Sequence, residues 1–476
     1  ACACPRAFIS CVICFILLNM IKLHCRNTLS LLALFLSFAG FFFIQPVSIN
    51  AAEPPVKKPL TLKQAVEKGI GTNPEVQGSL YSFKATEKEL RQAQASYFPQ
   101  VDLSGDIGSE YTRDPITQSD SGQNLMRRRI TVQITQQLFD GFDTKYEVRR
   151  QTNRIDSASF DIFDISEQTS LDIIEAFLDV IRQRELLRIS QENVNRHKDI
   201  LRNVRESTEA GRTSRVDVDQ VQARLESARA QSENIKEALQ SAQAEFKRQA
   251  GIMPQDLADP KTYDNELQPS LEAQIEAAIS ANPAIRQAEA DVNAAHAEYK
   301  QTVASFLPQL DMEARAEEAE DIGGVEGLSR SASGLAVMNW NLYRGGGDTA
   351  RRKEFAYRLA EARAVKAQVI REIEDTVRST WAAREASSNR RKNFNAQARA
   401  NKSLVSAYLQ QFNLNRRTLL DVLDVQSELF LSRSNAINEK TDEAVAIFSL
   451  LALEGRLLDA LGIKLPKTPK DAESMK

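Results

Sequence analysis

Two carboxylates, Asp421 and Asp424, are the residues of this sequence whose type and spacing most directly suggest a chemical role. They follow a polar bend in a long amphipathic pattern, and a separation of three residues places both on one face of the helix that starts there. Neighbouring carboxylates concentrate negative charge and attract cations. Carboxylates near a helix start also interact favourably with the helix dipole, so a purely structural role is the alternative.

The bend before these carboxylates occurs twice in the chain. Five residues of an upstream stretch match five residues of the bend at a constant spacing: Arg212 with Arg416, Ser214 with Thr418, Val216 with Leu420, Asp217 with Asp421, and Gln222 with Gln426. A chain of 476 residues would ordinarily suggest several globular domains. An internal repeat of this kind points instead to a duplicated architecture.

Composition and motifs argue against several functional classes. Acidic and basic residues nearly balance, 64 against 61, so the chain lacks the basic excess of a nucleic-acid-binding protein. His197 and His296 have no cysteine or second histidine nearby, and the run at 345–347 lacks the spacing and the lysine of a P-loop. We therefore predict that the protein is not an enzyme, needs no cofactor or metal, and has no nucleic-acid partner.

Residues 1–52 have the pattern of a secretory signal peptide. A basic segment around Lys22 precedes an apolar run, and small residues follow at Ala51 and Ala52. An N-terminal membrane helix is the alternative. Because Met20 stands just before the basic segment, we expect residues 1–19 to come from a start assigned too early. All 5 cysteines precede the expected cleavage site, so the mature chain should contain neither a disulfide nor a thiol nucleophile.

The rest of the chain divides into two similar halves, which predicts a first repeat at 53–265, a second at 266–466 and a disordered tail at 467–476. In each repeat an Asn-Pro pair, Asn73-Pro74 or Asn282-Pro283, begins a helix, because proline is tolerated in the first helical turn. Alternating apolar and polar residues then predict two strands with one apolar face.

A long helix follows the strands of each repeat, over about 142–210 and about 348–413. Apolar residues at alternating spacings of three and four indicate coiled-coil packing in the helical stretches. The last helix of each repeat is expected to end near Gly251 and Gly462. That alignment makes the second copy one heptad longer, an insertion that would leave its buried face unchanged.

The strands suggest how the protein could meet a membrane. No segment after residue 52 is apolar enough for a transmembrane helix, which needs about 20 such residues, whereas strands of about ten residues suit a transmembrane β-barrel. One chain offers only four strands, and open sheet edges are not viable in lipid, so several chains would be needed to close a barrel. A soluble sheet packed on the helices is the alternative, but the helices are far too long to be covered by so small a sheet.

The chain resembles the TolC family of outer-membrane efflux and secretion channels, especially its type I secretion members. The motifs that carry the resemblance occur in the same order in both halves: Asn-Pro helix starts, Ser-x-(Phe/Leu)-Pro-Gln strand entries and (Phe/Tyr)-x-Gly exits, with the Leu-Asp-Val-Leu-Asp-Val-Gln bend in the second. The resemblance implies a mainly α fold with a small antiparallel β part. In a homotrimer, twelve strands would form an outer-membrane β-barrel, continued by a long periplasmic α-helical coiled-coil barrel.

The resemblance also implies a passive duct, for type I protein secretion, for multidrug efflux or for both. Its partners would be a periplasmic adaptor, an inner-membrane ABC exporter or proton-driven pump, and outer-membrane lipid. The alternative function is a soluble periplasmic coiled-coil adaptor or scaffold, which would use the same helical pattern without the apolar strand faces.

Residues at the bend match functional positions of the family. Asp421 and Asp424 match paired aspartates that ring the periplasmic entrance, where three copies of each would favour cations. Arg417 matches an arginine that helps to tie the entrance helices shut, and Asp217 matches an acidic partner on the first bend. Phe412 departs from the family pattern, because it stands where a tyrosine hydroxyl would reach that aspartate.

Further residues are predicted to contact partners. The hairpin tips are expected to dock the adaptor, with simple turns as the alternative: Gly211, Arg212, Thr213, Ser214, Asn415, Arg416 and Thr418. Apolar strand residues are expected to face lipid: Ile130, Val132, Ile134, Leu138, Ala336, Met338, Trp340 and Leu342. The arginines at 127–129 are expected to be solvated at the rim or to contact lipopolysaccharide phosphates.

Overall fold

The fold is seen in a computed structural model that describes residues 59–113, 122–414 and 416–464. The predicted signal peptide, Asn415 and the predicted C-terminal tail lie outside the described residues.

The described chain contains one series of elements twice. The first repeat comprises α1 (Leu62–Thr72), α2 (Pro74–Ala95), β1 (Gln100–Thr112), β2 (Gln123–Phe139), α3 (Asp143–Glu209) and α4 (Arg215–Ala250). The second comprises α5 (Leu271–Ala281), α6 (Pro283–Gln301), β3 (Gln309–Ile322), β4 (Val325–Asn339), α7 (Gly347–Asn413), α8 (Leu419–Leu453) and the short α9 (Leu457–Ala460). This order confirms a mainly α fold with two tandem repeats and a small antiparallel sheet.

The Asn-Pro pairs begin helices as predicted. Asn73 caps α2 by accepting a hydrogen bond from the Glu75 N–H over 2.8 Å, and Pro74 occupies the first turn. Asn282 caps α6 in the same way, accepting from the Ile285 N–H over 3.2 Å. A side-chain oxygen at this position satisfies an N–H that has no partner within the helix.

The four strands form one antiparallel sheet in the order β1-β2-β3-β4. Leu103 lies opposite Val132, and Ala316 lies opposite both Val132 and Ala332, so these side chains share one face. The strands have 13, 17, 14 and 15 residues, more than the predicted ten. They are longer because pairing continues past the apolar stretch into charged residues such as Arg128 and Glu320.

The prediction that Trp340 and Leu342 belong to the last strand is wrong. β4 ends at Asn339, whose partner Gln309 is the first residue of β3. β4 is paired on one side only within the chain, and Pro308 before β3 has no N–H to extend the ladder. Trp340 instead donates its indole N–H to the Phe306 carbonyl over 3.2 Å.

The link from strand to long helix requires left-handed backbone. Gly345 and Gly346 have φ of 61° and 83°, and the matching residues of the first repeat, Gly141 and Phe142, have φ of 70° and 73°. This region costs a non-glycine residue roughly 1–2 kcal/mol. The Phe142 ring packs edge-on against Phe139 with a centroid separation of 5.3 Å, which offsets part of that cost.

The helices form a layer that is four helices wide along its length. Near the sheet the neighbours are α2, α3, α6 and α7, and at the far end they are α4, α3, α8 and α7. The long helices α3 and α7 each have 67 residues and therefore run along both halves, roughly 100 Å. In the described part of the chain, no helix has the length and hydropathy needed to cross a membrane.

The main apolar core lies midway along α3, where the end of α4 meets α1. Phe177 of α3 and Phe246 of α4 are fully buried there, with ring centroids 6.1 Å apart. Val66 of α1 and Leu457 of α9 pack into the same cluster. The start of the first repeat is therefore fixed to the end of the second.

The expected heptad insertion in the last helix is wrong. α8 has 35 residues and α4 has 36, so the second copy is no longer than the first. α8 ends at Leu453, and the turn that follows contains Gly455. Gly455 is left-handed like Gly251, and the two glycines have the same spacing in sequence as Arg416 and Arg212. The residues after Gly455 form α9 and a second glycine turn at Gly462. An alignment on Gly462 therefore compared different turns.

A buried carboxylate fastens α9 to the middle of α3. Glu167 accepts hydrogen bonds from the N–H groups of Leu457, at 3.0 Å, and Leu458, at 3.3 Å. These donors belong to a helix start, where unpaired N–H groups attract acceptors. Burial nevertheless raises the pKa of Glu167 to about 8, because desolvation outweighs the two hydrogen bonds.

Candidate functional site

The two helical hairpins, α3–α4 and α7–α8, end in matching bends. In the first bend Gly211 is left-handed, with φ of 73°, and the Arg212 N–H donates to the Ser207 carbonyl over 2.8 Å. In the second bend the Arg416 N–H donates to the Gln411 carbonyl over 2.9 Å. These bonds satisfy carbonyls at the end of each long helix.

The predicted docking residues lie at these two tips. Thr213 is half-buried and shares a hydrogen bond of 2.8 Å between its Oγ1 and that of Thr208. Asn415 lies outside the described residues. The remaining tip residues are exposed: Gly211, Arg212, Ser214, Arg416 and Thr418. The described tips are thus accessible in the single chain, and their contact with an adaptor stays a prediction.

Each helix after a bend begins with a capping box. Thr418 Oγ1 accepts from the Asp421 N–H, and Asp421 Oδ2 accepts from the Thr418 N–H, both over 3.3 Å. Ser214 and Asp217 make the same reciprocal contact, with the Ser214 N–H donating to Asp217 Oδ2 over 3.0 Å. Asp421 therefore has the structural role that was the alternative at the outset, alongside any electrostatic role.

Asp421 is held in its charged form. The hydrogen bond from the Thr418 hydroxyl, 2.8 Å long, is the largest cause that lowers the pKa of Asp421, and the charge of Arg417 adds to it. Arg417 Nη1 lies 3.7 Å from Asp421 Oδ2. The carboxylate at this position is consequently ionised at neutral pH.

Asp424 makes a contact that crosses from one hairpin to the other. Its Oδ1 lies 3.2 Å from Nη2 of Arg224, which belongs to α4. Nearby, His197 of α3 is only 3 % exposed, and its Nδ1 has no partner among the described atoms. Burial, followed by the charge of Arg224, lowers the pKa of His197, so the imidazole is neutral at neutral pH.

Arg417 and Asp217 do not meet within the chain. The Arg417 guanidinium lies over the Tyr408 ring, 4.1 Å from its centroid, and Arg417 Nε donates to Gln411 Oε1 over 3.3 Å. Asp217 is occupied by its capping contact with Ser214. A tie between Arg417 and the Asp217 of a neighbouring copy stays a prediction.

Phe412 packs into apolar surroundings that join the two hairpins. The cluster contains Val204 of α3, Val221 of α4 and Val422 of α8, all fully buried, and half-buried Phe412 lies against it. The phenyl ring has no hydroxyl to bond Asp217, and its contribution here is apolar contact. Polar contacts between the hairpins must come from other residues.

One face of the sheet is apolar and exposed. The strand pairing places five of the predicted lipid-facing residues on this face, and all five are exposed: Ile130 at 61 %, Val132, Ile134, Ala336 and Met338 at 64 %. Leu138 is also exposed and lies at the bulge between Gln137 and Phe139. Leu103 of β1 and Ile107, at 75 % and 73 %, extend the same face. Contact with lipid stays a prediction for these residues.

The arginines at 127–129 divide between the two faces. Arg128 lies on the apolar face and pairs with Glu320 at 3.2 Å. Arg127 and Arg129 lie on the polar face and both pair with Asp106, at 2.7 and 2.8 Å. Neighbouring residues in a strand point to opposite faces, so these arginines reach two different surroundings. Their contact with solvent at the rim or with lipopolysaccharide phosphates stays a prediction.

Sequence patterns did not identify Arg224 or Tyr408. Arg224 stands in an ordinary amphipathic helix, and its partner Asp424 is far away in sequence, so no local pattern marks it. Tyr408 lies one helical turn before Phe412. The aromatic hydroxyl of Tyr408, one turn from the position where a tyrosine was expected, is the sequence signal for this residue.

Among the described residues, no group of side chains has the composition of a metal site.

Comparison with known proteins places this geometry in a family. The family model for the outer membrane efflux protein matches residues 66–251 and 274–456. The chain is 24% identical to the outer membrane efflux protein BepC of Brucella suis, across 85% of this chain and 88% of that one. It is 22% identical to the outer membrane protein TolC of Escherichia coli, across 90% and 85% of the two chains.

A solved structure shows the same fold. The Campylobacter jejuni CmeC outer membrane channel superposes with a TM-score of 0.76 at 13% identity, over 87% of this chain and 88% of that one. The family match confirms the predicted location in the outer membrane and the prediction that the protein is not an enzyme. The chain belongs to the outer membrane efflux protein family.

Proposed function

We propose that three copies of this chain form a passive exit duct across the outer membrane, gated at its periplasmic end. In this arrangement the sheets of the three copies close into one twelve-stranded barrel. The helical layers close into a tunnel below it, and the hairpin tips form the narrow entrance. Cargo moves through the duct without covalent chemistry in this chain.

The observation that carries this proposal is the sheet. Its outer strands, β1 and β4, each have a neighbour on one side only within the chain. Its apolar face is uncovered, with Leu103 75 % and Ile107 73 % exposed. An unpaired edge and an apolar face are both unfavourable in water, and pairing β4 of one copy with β1 of the next in lipid removes both problems.

The helical layer supports the same arrangement. Four helices lie side by side at each level, and the long helices α3 and α7 run along both levels. A single layer of this kind has two sides and no enclosed interior. Three such layers side by side would surround a tunnel with the coiled-coil contacts predicted from the sequence.

The entrance would carry six carboxylates, from three copies of Asp421 and Asp424. The ionised state of Asp421 supports a cation-favouring ring at this position. The exposed tips, around Gly211 and Arg416, are where we expect a periplasmic adaptor to dock, with an ABC exporter or a proton-driven pump in the inner membrane.

We propose two classes of cargo for the duct, small molecules and unfolded protein. The name of the BepC relative describes efflux, which supports export of small molecules. The bend and strand-exit motifs resemble members that serve type I secretion, which supports export of unfolded protein. Deletion of the gene separates the two: increased drug susceptibility indicates efflux, and loss of a protein from the culture medium indicates secretion.

A soluble adaptor or scaffold is disfavoured by the same sheet. Such a protein would have no use for a row of exposed apolar side chains such as Ile130 and Met338, 61 % and 64 % exposed. Exposed apolar patches of this kind mark contact with a membrane or another protein.

The function is tested by purifying the full-length mature protein from the outer-membrane fraction. We expect a trimer that dissociates on heating in detergent and conducts ions in planar lipid bilayers. Release by osmotic shock as a protein without conductance would contradict the duct and support the scaffold.

A further inference from the structure

The strongest unassigned feature is a cavity between α3, α7 and α8. Its volume of 480 Å³ is in the range of clefts that bind small molecules. Four cations and one carboxylate line this basic cavity: Arg196, Arg399, Lys402, Arg433 and Glu192. Arg196 belongs to α3 and Arg399 to α7, so the cavity has a charged wall on each side. α7 continues for about 20 Å beyond Arg399, which separates the cavity from the bend.

The charges that line the basic cavity do not balance. Arg433 is neutralised within the chain, because its Nη1 lies 2.9 Å from Glu192 Oε2. Arg196, Arg399 and Lys402 form no ion pair with any residue that the structure describes. Three positive charges therefore surround one space without a counter-charge, and like charges repel each other.

The excess of cations comes from α7. No aspartate or glutamate stands between Glu385 and Asp421, a stretch that includes the part of α7 nearest the bend. The matching part of α3 contains five carboxylates: Glu185, Glu192, Asp199, Glu206 and Glu209. Elsewhere on α7 a carboxylate one turn away pairs with an arginine, as Glu374 does with Arg378 at 2.8 Å. Arg399 has no acidic residue one turn away in either direction, so an anionic ligand would supply the counter-charge.

The floor of the basic cavity is apolar. Ile189 and Val405 line it and are only 2 % and 8 % exposed. Leu429 and Phe430 of α8 also line it, and the half-buried Phe430 ring packs against the cluster that contains Ile189. Such a floor stabilises a ligand with a carbon skeleton, whereas an inorganic ion would leave it unused.

We propose that the basic cavity binds a small organic anion that has an apolar body and an anionic group at each end. The body lies on the floor beside Phe430. One anionic group faces Arg196 of α3, and the other faces Arg399 and Lys402 of α7. Guanidinium groups bind carboxylates through paired hydrogen bonds, which favours carboxylates as the anionic groups. The inference uses contacts within one chain and goes beyond the proposed duct.

The site is tested by isothermal titration calorimetry of the full-length mature protein in a neutral detergent. The probe is terephthalate, an aromatic ring with a carboxylate at each end, and we expect one molecule to bind per chain. Its affinity should fall as salt is added, because salt screens exposed charges. Succinate has two carboxylates and no ring, so it should bind roughly tenfold more weakly. No binding of terephthalate, or equal affinity for succinate, would overturn the proposal.

Variants of the two walls test the assignment of residues. Arg196→Gln and Arg399→Gln should each weaken terephthalate binding by roughly tenfold, because each removes one charge-assisted contact. Both side chains are exposed and lack an ion pair in the described part of the chain, so both variants should form trimers with an unchanged melting temperature. Lys392→Gln is the matched control, because Lys392 is an exposed cation of α7 outside the basic cavity. Its affinity should equal that of the wild type.

Two results would overturn the site. Wild-type affinity in both wall variants would show that terephthalate binds elsewhere, and an equal loss of affinity in Lys392→Gln would show that it responds only to net charge. The titration needs no ion current, so the site and the duct can fail separately. Absence of conductance from the wild-type protein would contradict the duct, and absence of binding would contradict the site.

Discussion

The guanidinium of Arg417 lies over the ring of Tyr408, with Cζ 4.1 Å from the ring centroid, and both residues belong to the second hairpin. The tyrosine stands one helical turn before Phe412, on the long helix that leads to the bend. Because a cation over an aromatic face is stabilised by the ring quadrupole, this contact fixes the position of Arg417 at the tip. It also leaves one Nη group free to approach Asp421, at 3.7 Å.

The stacked contact predicts that an aromatic ring, and not a hydroxyl, is needed at 408. Tyr408→Phe should leave the leak conductance of the closed channel unchanged, whereas Tyr408→Leu and Arg417→Ala should both increase it. The measurement is single-channel recording at low voltage. Equal leak from the phenylalanine and leucine variants would show that stacking does not hold Arg417.

The capping box at the second bend predicts a stability effect. Thr418→Ala removes the side-chain oxygen that accepts from the Asp421 N–H, and loss of such a cap costs about 1 kcal/mol per copy. The cost should appear as faster proteolysis at the tip and a lower melting temperature. Thr418→Ser keeps the oxygen and serves as the control; a serine variant as labile as the alanine variant would argue against the cap.

The carboxylate pair predicts the ion preference of the entrance. Replacing Asp421 and Asp424 together with alanine should weaken both the preference for cations and the block by divalent cations, because six negative charges leave the proposed ring. Reversal potentials in a salt gradient measure the first effect, and titration with a divalent salt measures the second. Glu226→Gln, which removes a charge outside the ring, should change neither. Unchanged selectivity in the double variant would contradict a ring.

Glu167 predicts how stability depends on pH. Its pKa is raised by burial to about 8 in the folded chain, against 4.5 for the ordinary carboxyl. Between these values the folded chain holds a proton that the unfolded chain has released, so the free energy of unfolding falls as pH rises from 4.5 to about 8. Glu167→Gln should remove this fall, while its amide oxygen still accepts one N–H from α9. Melting temperatures measured from pH 4.5 to about 8 test this prediction. The same pH dependence in the wild type and in Glu167→Gln would contradict it.

The sequence was sufficient for features that depend on local pattern. Asn73 and Pro74 mark a helix start with one cap and one tolerated proline, and the structure has that cap at 2.8 Å. Alternation in β2 identifies the face that contains Ile130 because a strand has a period of two. The duplication supports these two assignments, since the Asn-Pro helix start and the alternating strand pattern each occur in both halves.

Features that depend on distant partners could not be predicted in this way. The end of β4 at Asn339 is set by the start of β3, not by the residues that follow. The pairing of Arg224 with Asp424 depends on how two hairpins pack. The misaligned turns at Gly251 and Gly462 had the same flanking sequence pattern, and the structure was needed to show that Gly455 is the matching turn.

The two faces of β1 predict opposite effects for neighbouring substitutions. Leu103 is 75 % exposed on the apolar face, opposite Val132, and Ser104 next to it points to the polar face. Arginine on a lipid-facing strand position costs roughly 2–4 kcal/mol near the bilayer centre. Leu103→Arg should therefore reduce the yield of heat-dissociable trimer in the outer membrane. Ser104→Arg should assemble normally and change conductance, because its new charge lies inside the proposed barrel. If the yields of trimer were the same for both variants, the apolar face would not be the one in contact with lipid.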